Sequence, residues 1–269
     1  MLYLEKKDKK DWEFVYPDSY HDTMEDLEYA IDLMNRGDFA KAEKEYVGLF
    51  TKQPYHLDAY HHMALSRYRQ GKLRVAQEFW EHAVEVGRRA FSMDFQLGRD
   101  RLPWGWLDNR PFLRSLDGLA TVRKETGMFG DALWLYREAM LLNPDDNIGA
   151  RYHIGEMLLD MGRDREYVSF SDKYSEGYFA DLLYGRVLAF YRLGEMKDAE
   201  KALRTAKKDL PLVAKELTKK RHTRPDNWNE RYISLRGEDQ AYAYWQDCGK
   251  LWKKADGALE WLREELKGS

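Results

Sequence analysis

The chain has a single cysteine, Cys248, among 269 residues. That excludes a disulfide framework and a cysteine-based metal site. Proline is scarce at 7 and glycine stands at 19, too few for a low-complexity or disordered chain. A dominant charge sign is also missing, because 44 Lys and Arg face 47 Asp and Glu for a net charge of −3. Such a balance gives no global attraction for nucleic acid or an anionic membrane. No apolar run approaches the roughly 18 residues that mark a membrane span. The stretch "MLYLEKKDKKDWEF" puts charges where a signal peptide needs an apolar core. The expectation is a soluble, cytoplasmic protein with no membrane partner. Catalytic signatures are missing as well: no Gly-x-Ser-x-Gly, no phosphate-cradling glycine loop, no acidic motif with metal spacing. No catalysis, cofactor or metal is expected.

What the chain has is repetition. Compare "NRGDFAKAEKEYVGLFTKQP" (35–54), "ETGMFGDALWLYREAMLLNP" (125–144) and "RLGEMKDAEKALRTAKKDLP" (192–211). Each carries Gly, then Ala five residues on and Pro seventeen on: Gly37, Ala42, Pro54; Gly127, Ala132, Pro144; Gly194, Ala199, Pro211. A fourth copy, 69–86, keeps Gly71 and Ala76 without the proline; a fifth keeps Gly162 but has Tyr167 in place of Ala. Gly37 and Gly71 lie 34 residues apart, and Gly127 and Gly194 lie 67 apart. Gly71 and Gly127 are separated by 56, one period plus 22.

Physical reasons suit each element. Apolar residues recurring three and four apart make each half-repeat an amphipathic helix. Gly ends the first helix in a left-handed conformation, and Asp38 and Asp164 suit the N-cap of the second. The small Ala lets two helices approach, and Pro cannot continue a helix. Each pair leaves an apolar face that its neighbour must cover, which yields a solenoid.

This 34-residue helix–turn–helix with its Gly, Ala and Pro resembles the tetratricopeptide repeat family over residues 23 to 211. Tyr60, Leu116 and Leu183 stand where that family often has Trp. A narrower resemblance, carried by "NRPFLRSLDGLA", "NPDDNIGARY", "YGRVLAFYRLG" and "GALEWL", is to tetratricopeptide proteins related to the suppressor-of-tumorigenicity family. The resemblance implies an all-α, right-handed solenoid of about five repeats with C-terminal capping helices.

Flanking and inserted segments complete the organisation. Residues 1–22 form an aromatic arm expected to be extended, covering the first repeat or reaching into the groove. Residues 212–269 are expected to cap the solenoid's end. The surplus of 22 residues falls within about 88–112, ending in "RLPWGWLDNRPFLRSL" (101–116). There Asn109 is placed to cap the helix that Pro111 starts. Trp104 and Trp106, with Arg110 beside them, are expected to plug a widened gap between repeats, with ligand contact the alternative.

Candidate chemistry is sparse. His56, His61 and His62 cluster, but adjacent histidines point apart and lack convergent ligands, so a packed or groove-facing role is expected. Cys248 reads as a buried structural thiol. Arg114, Arg151 and Arg186 lie on successive first helices and need carboxylates or carbonyl groups. The basic run 215–228, with Trp228, is the candidate nucleic-acid or anion site, against a plain solvated loop.

The leading expectation is protein or peptide binding, as adaptor or scaffold. In the tetratricopeptide family ligands lie on the concave face of the first helices. Phasing on the glycines puts Leu27, Ile31, Asn35, His61, Leu65, Tyr68 and Arg69 there, then Asp117, Thr121 and Lys124. Tyr152, Glu156, Tyr184, Leu188 and Tyr191 follow. The arm, the tail or a second copy of the chain, as a homo-oligomer, are the alternative occupants.

Overall fold

A computed structural model describes residues 1–174, 179–226, 228–229 and 232–267. A hairpin of β1 (Tyr3–Lys6) and β2 (Trp12–Val15) comes first, then α1 (Asp18–His21) and α2 (Met24–Asn35). There follow α3 (Phe39–Lys52), α4 (Leu57–Arg69), α5 (Leu73–Arg89), α6 (Arg110–Glu125), α7 (Phe129–Leu142) and α8 (Ala150–Asp160). The second half holds α9 (Asp164–Lys173), α10 (Ala180–Arg192), α11 (Met196–Asp209), α12 (Pro211–Thr218), α13 (Glu238–Lys254) and α14 (Ala258–Lys267). Two compact units form, residues 1–153 and 154–269.

The repeat signature acts as expected at both of its small residues. Gly37, Gly71, Gly127, Gly162 and Gly194 have φ of 88°, 73°, 82°, 68° and 72°. This left-handed backbone turns the chain between paired helices at no side-chain cost. Ala42, Ala76, Ala132 and Ala199 are fully buried, where the second helix of each pair meets the first.

The caps differ from expectation. Asp38 sits at the N-cap of α3 but makes no side-chain cap bond. Asp164 is the first residue of α9 rather than its cap, and its carboxylate faces Arg192 at 3.5 Å. Second helices here begin without a side-chain cap, so burial of one face, not capping, holds them.

The copy at Gly162 shows how a repeat rule is broken. Tyr167 replaces the small Ala yet is buried. Its hydroxyl donates to the Asp181 carbonyl at 2.6 Å. Two glycines make the room: Gly155 on α8 and Gly185 on α10 both face the Tyr167 ring. A Cβ at Gly185 would collide with the Tyr167 hydroxyl. Gly185→Ala is therefore expected to destabilise by about 2 kcal/mol through overpacking. Urea unfolding monitored by circular dichroism measures it, and a midpoint equal to wild type would refute the packing argument.

The N-terminal arm is a hairpin and not simply extended. It covers the insertion rather than the first repeat alone. The Leu4 amide donates to the Ala90 carbonyl at 2.9 Å and the Trp12 amide to the Arg101 carbonyl at 3.0 Å. Phe14 packs against Phe91 and Phe112, with ring centroids 6.1 and 5.3 Å away. Trp12 meets Phe95 edge-on at 5.6 Å. Asn109 occupies the cap position of α6 but makes no cap bond. Its side chain instead accepts from the Phe14 amide at 3.0 Å and donates to the Trp12 and Pro103 carbonyls at 3.0 and 3.1 Å.

Trp104 and Trp106 do not plug the gap; both are only half-buried. Arg110 lies over the Trp104 ring at 5.0 Å and donates to its carbonyl at 3.0 Å. The plugs are Leu102, Phe112 and the arm's Phe14, all buried. An aromatic arm from elsewhere in the chain took the position that the insertion's own indoles were expected to fill.

Candidate functional site

Within residues 1–153, the first helices α2, α4 and α6 carry the face that the repeat phase selects. Its floor is packed: Leu27 and His61 are buried. The His61 ring takes a hydrogen bond from the Trp80 indole at 3.2 Å. Ile31, Leu65, Tyr68, Thr121 and Lys124 are half-buried, and Asn35 and Arg69 are exposed. The side chains are ordered by each other: Arg69 donates to Asn35 Oδ1 at 3.0 Å, and the Tyr68 hydroxyl donates to Glu125. Tyr68 also packs on Trp80 at 5.7 Å, and Thr121 shares a 3.0 Å hydrogen bond with Tyr136. The result is an open strip of apolar stems with polar tips.

The electrostatics below this strip are unusual. His56, His61, His62 and Asp58 are all buried on α4 or its cap. Desolvation pushes His56 down to about 4 and His62 to about 3. His61 falls well below the ordinary histidine value for the same reason, helped by His62 and Arg114. His56 caps α4 by accepting the Ala59 amide at 3.2 Å, and its other nitrogen meets the Thr23 hydroxyl at 3.2 Å. Tyr20 of the arm lies against it at 4.7 Å. Asp117, on α6, is raised to about 7 by burial and by nearby Asp146. These imidazoles are neutral packing groups. Among the described residues no group of three or more His, Cys, Asp or Glu could hold a metal ion.

Within residues 154–269 the corresponding face is filled. Tyr184 and Leu188 are fully buried, so they are not groove residues. The Tyr184 hydroxyl donates to the Leu210 carbonyl at 2.8 Å, and its ring meets Tyr244 of α13 at 5.9 Å. Tyr191 donates to the Asp256 carbonyl at 2.9 Å and its ring meets Trp261. Lys250 and Lys254 of α13 pair with Glu156 and Asp160 of α8 at 3.0 and 2.9 Å. Arg192 bonds the Leu251 carbonyl at 2.9 Å. The tail thus lies along the first-helix face of this unit. Tyr152, the remaining groove candidate, is 39% exposed, with Arg151 over its ring at 5.7 Å.

The other candidates resolve simply. Arg114, Arg151 and Arg186 each meet a carboxylate, on Asp58 at 3.3 Å, Asp146 at 2.9 Å and Asp172. Cys248 is buried, and burial raises its thiol. In the run 215–228, Lys219 pairs with Glu216 at 2.6 Å and His222 stacks on Trp245 at 3.4 Å. Arg224 lies over Trp228 at 5.7 Å, and Tyr242 meets that indole edge-on. The aromatic group that would stack a base is engaged internally; Asn227 of the run lies outside the described residues. No described helix is long and apolar enough to cross a membrane.

One concavity escaped sequence reasoning. A cleft of about 460 Å³ lies on α5, α6 and α7, lined by Glu81, Glu85, Arg88, Arg89, Arg123 and Trp134 among others. Its arginines are matched by acids: Arg88 with Glu138 at 2.5 Å, Arg123 with Glu81 at 2.8 Å, Arg89 with Glu85. The only signal in the sequence was Trp134, a large aromatic on the polar side of its helix.

A family model described as transcriptional repressor TCF25 matches residues 40–269. The chain belongs to the TCF25 family. Among curated proteins, this TCF25-family chain is similar to ribosome quality control complex subunit 1 of Saccharomyces cerevisiae, 27% identical over 180 residues. The match covers 64% of this chain and spans about a quarter (25%) of that relative's length. Among solved structures it is similar to YrrB, a TPR protein described as having an unusual peptide-binding site. The TM-score is 0.52 at 17% identity, covering 72% of this chain and 93% of that one. MamA gives 0.53 at 16% identity, covering 72% and 94%. A tetratricopeptide repeat protein from Parabacteroides merdae gives 0.51 at 18%, covering 93% and 86%. The fold of this TCF25-family chain is the all-α tetratricopeptide helical-repeat solenoid.

Proposed function

We propose that this chain is a non-catalytic scaffold whose open first-helix face on α2, α4 and α6 binds a protein segment. One observation carries the reading. In residues 154–269 the chain lays its own helix α13 on the first helices, with Lys250 and Lys254 reaching Glu156 and Asp160. In residues 1–153 the face keeps Asn35 and Arg69 exposed and Ile31, Leu65, Tyr68, Thr121 and Lys124 half-buried. Apolar stems with polar tips suit a helical or extended segment, anchored by side chains and oriented by hydrogen bonds. The peptide-binding description of YrrB and the complex membership of the yeast relative support a protein partner.

Tyr68 is the expected hot spot, as a half-buried aromatic beside an arginine. Tyr68→Ala is expected to weaken the partner about 10- to 30-fold, the loss of about 1.4–2 kcal/mol, with little change in stability. The check is a photo-crosslinker at Leu65 or Thr121, with one at the exposed Arg74 as control. Trapping of a protein at the first two positions, abolished by Tyr68→Ala, supports the site. Equal trapping at Arg74 counts against it.

A further inference from the structure

The outward face of α11 differs from that of every comparable helix described. Lys197, Lys201, Arg204 and Lys208 are exposed, while Ala199, Leu203 and Ala206 are buried. Steps of four, three and four residues at 100° each place the four cations within about 60° of one another, opposite the buried stripe. They form a row about 16 Å long at 1.5 Å per residue. None of the four is ion-paired with a described residue. At the same register α5 carries Arg74, Glu78, Glu81 and Glu85, and α7 includes Trp134 and Leu141. The row is therefore not demanded by the repeat.

We propose that this face of α11 grips the phosphodiester backbone of a nucleic acid duplex without reading its sequence. The composition of the row selects this partner over other anions. A membrane surface is held by apolar residues beside the basic ones, and a protein partner needs aromatic or aliphatic anchors. No apolar side chain stands within the row; its exposed neighbours are Thr205, a further hydrogen-bond donor, and Asp198 at the edge beside Lys197. Three of the four cations are lysines, which act as point charges and place a backbone rather than fork onto a base. The chain's net charge of −3 makes the attraction local to this helix. It is separate from the face on α2, α4 and α6, so either reading can fail alone.

Fluorescence anisotropy of the full chain with a labelled DNA or RNA duplex tests the proposal. Four phosphate contacts on B-DNA give a slope of about −3 to −4 in log K against log salt, roughly 100-fold in affinity between about 50 and 200 mM. Changing Lys197, Lys201, Arg204 and Lys208 to Gln should remove that dependence and nearly all binding. A control carries Lys9, Lys10, Lys44 and Lys52→Gln. It has the same net charge as the row variant, and its changed residues are exposed and lie in residues 1–153. It should bind like wild type. Equal losses in both variants, no loss in either, or tighter binding to polyglutamate or to phosphatidylserine vesicles than to duplex would overturn the proposal.

Discussion

Replacing Asn109 with alanine is expected to cost about 3–5 kcal/mol, and Asn109→Asp about as much. The side chain is fully buried and serves three backbone groups: the Phe14 amide and the Trp12 and Pro103 carbonyls. Each buried group left without a partner costs about 1–3 kcal/mol. Aspartate keeps the acceptor for Phe14 but turns a carboxylate oxygen toward two carbonyls. Had Asn109 acted as a helix cap, Asp and Ser would serve as well as Asn. Urea denaturation of the Ala, Asp and Ser variants separates the roles. Stability of Asn109→Asp within 0.5 kcal/mol of wild type, about the range of a neutral surface change, would restore the cap reading. Hydrogen exchange should also show β2 losing protection before the repeat helices do.

Acidification is expected to destabilise residues 1–153 in a window set by the buried imidazoles. An unfolded histidine titrates near 6.5, whereas His56 and His62 titrate near 4 and 3 when folded and His61 lies well below its ordinary value. The folded pKa is depressed for a base, so the unfolded state binds more protons and stability falls as pH drops below about 6.5. Between about pH 6.5 and 5.5 each imidazole removes about 1 kcal/mol, roughly 3 kcal/mol together. Asp117 opposes this. Its folded value is raised to about 7, so it is protonated when folded and gains about 1 kcal/mol over the same window. The net loss is about 2 kcal/mol. Asp117→Asn should steepen it toward 3, and His56→Gln should shallow it. Denaturation midpoints at the two pH values measure the slope, and a flat profile in wild type and Asp117→Asn alike would show that the imidazoles are hydrated. Other charged groups in this electrostatic environment, Asp58, Asp108 and Arg114, also set the slope; Asp58 and Asp108 are raised by burial and so oppose the histidines at lower pH.

What was legible in the sequence was what the repeat encodes locally. Gly37, Gly71, Gly127, Gly162 and Gly194 announced their turns because a left-handed residue has few substitutes. Ala42, Ala76, Ala132 and Ala199 announced close helix contacts by size. The illegible parts depend on residues distant in sequence. Nothing near Asn109 shows that its partner is the strand at Trp12–Val15. Nothing near Tyr184 or Leu188 shows that α13 lies over them, so a phase that fits a groove residue also fits a core residue under a tail. Tyr167 read as degeneracy; with Gly155 and Gly185 it is a substitution with its compensation. On α2, α4 and α6 the phased positions other than Leu27 and His61 keep some exposure, and the proposed site rests on these.

The hairpin also sets an order of events during synthesis. Its two strands leave the ribosome before the insertion does, but Phe14 and Asn109 are separated by 95 residues, and Phe112 comes later still. Until that point Trp12 and Phe14 have no pocket to enter. A segment made before the repeats is among the last of its unit to settle, because a contact so distant must wait for the chain between. A nascent chain halted before residue 109 should therefore leave its N-terminal strands open to protease, and one halted well past residue 125 should not.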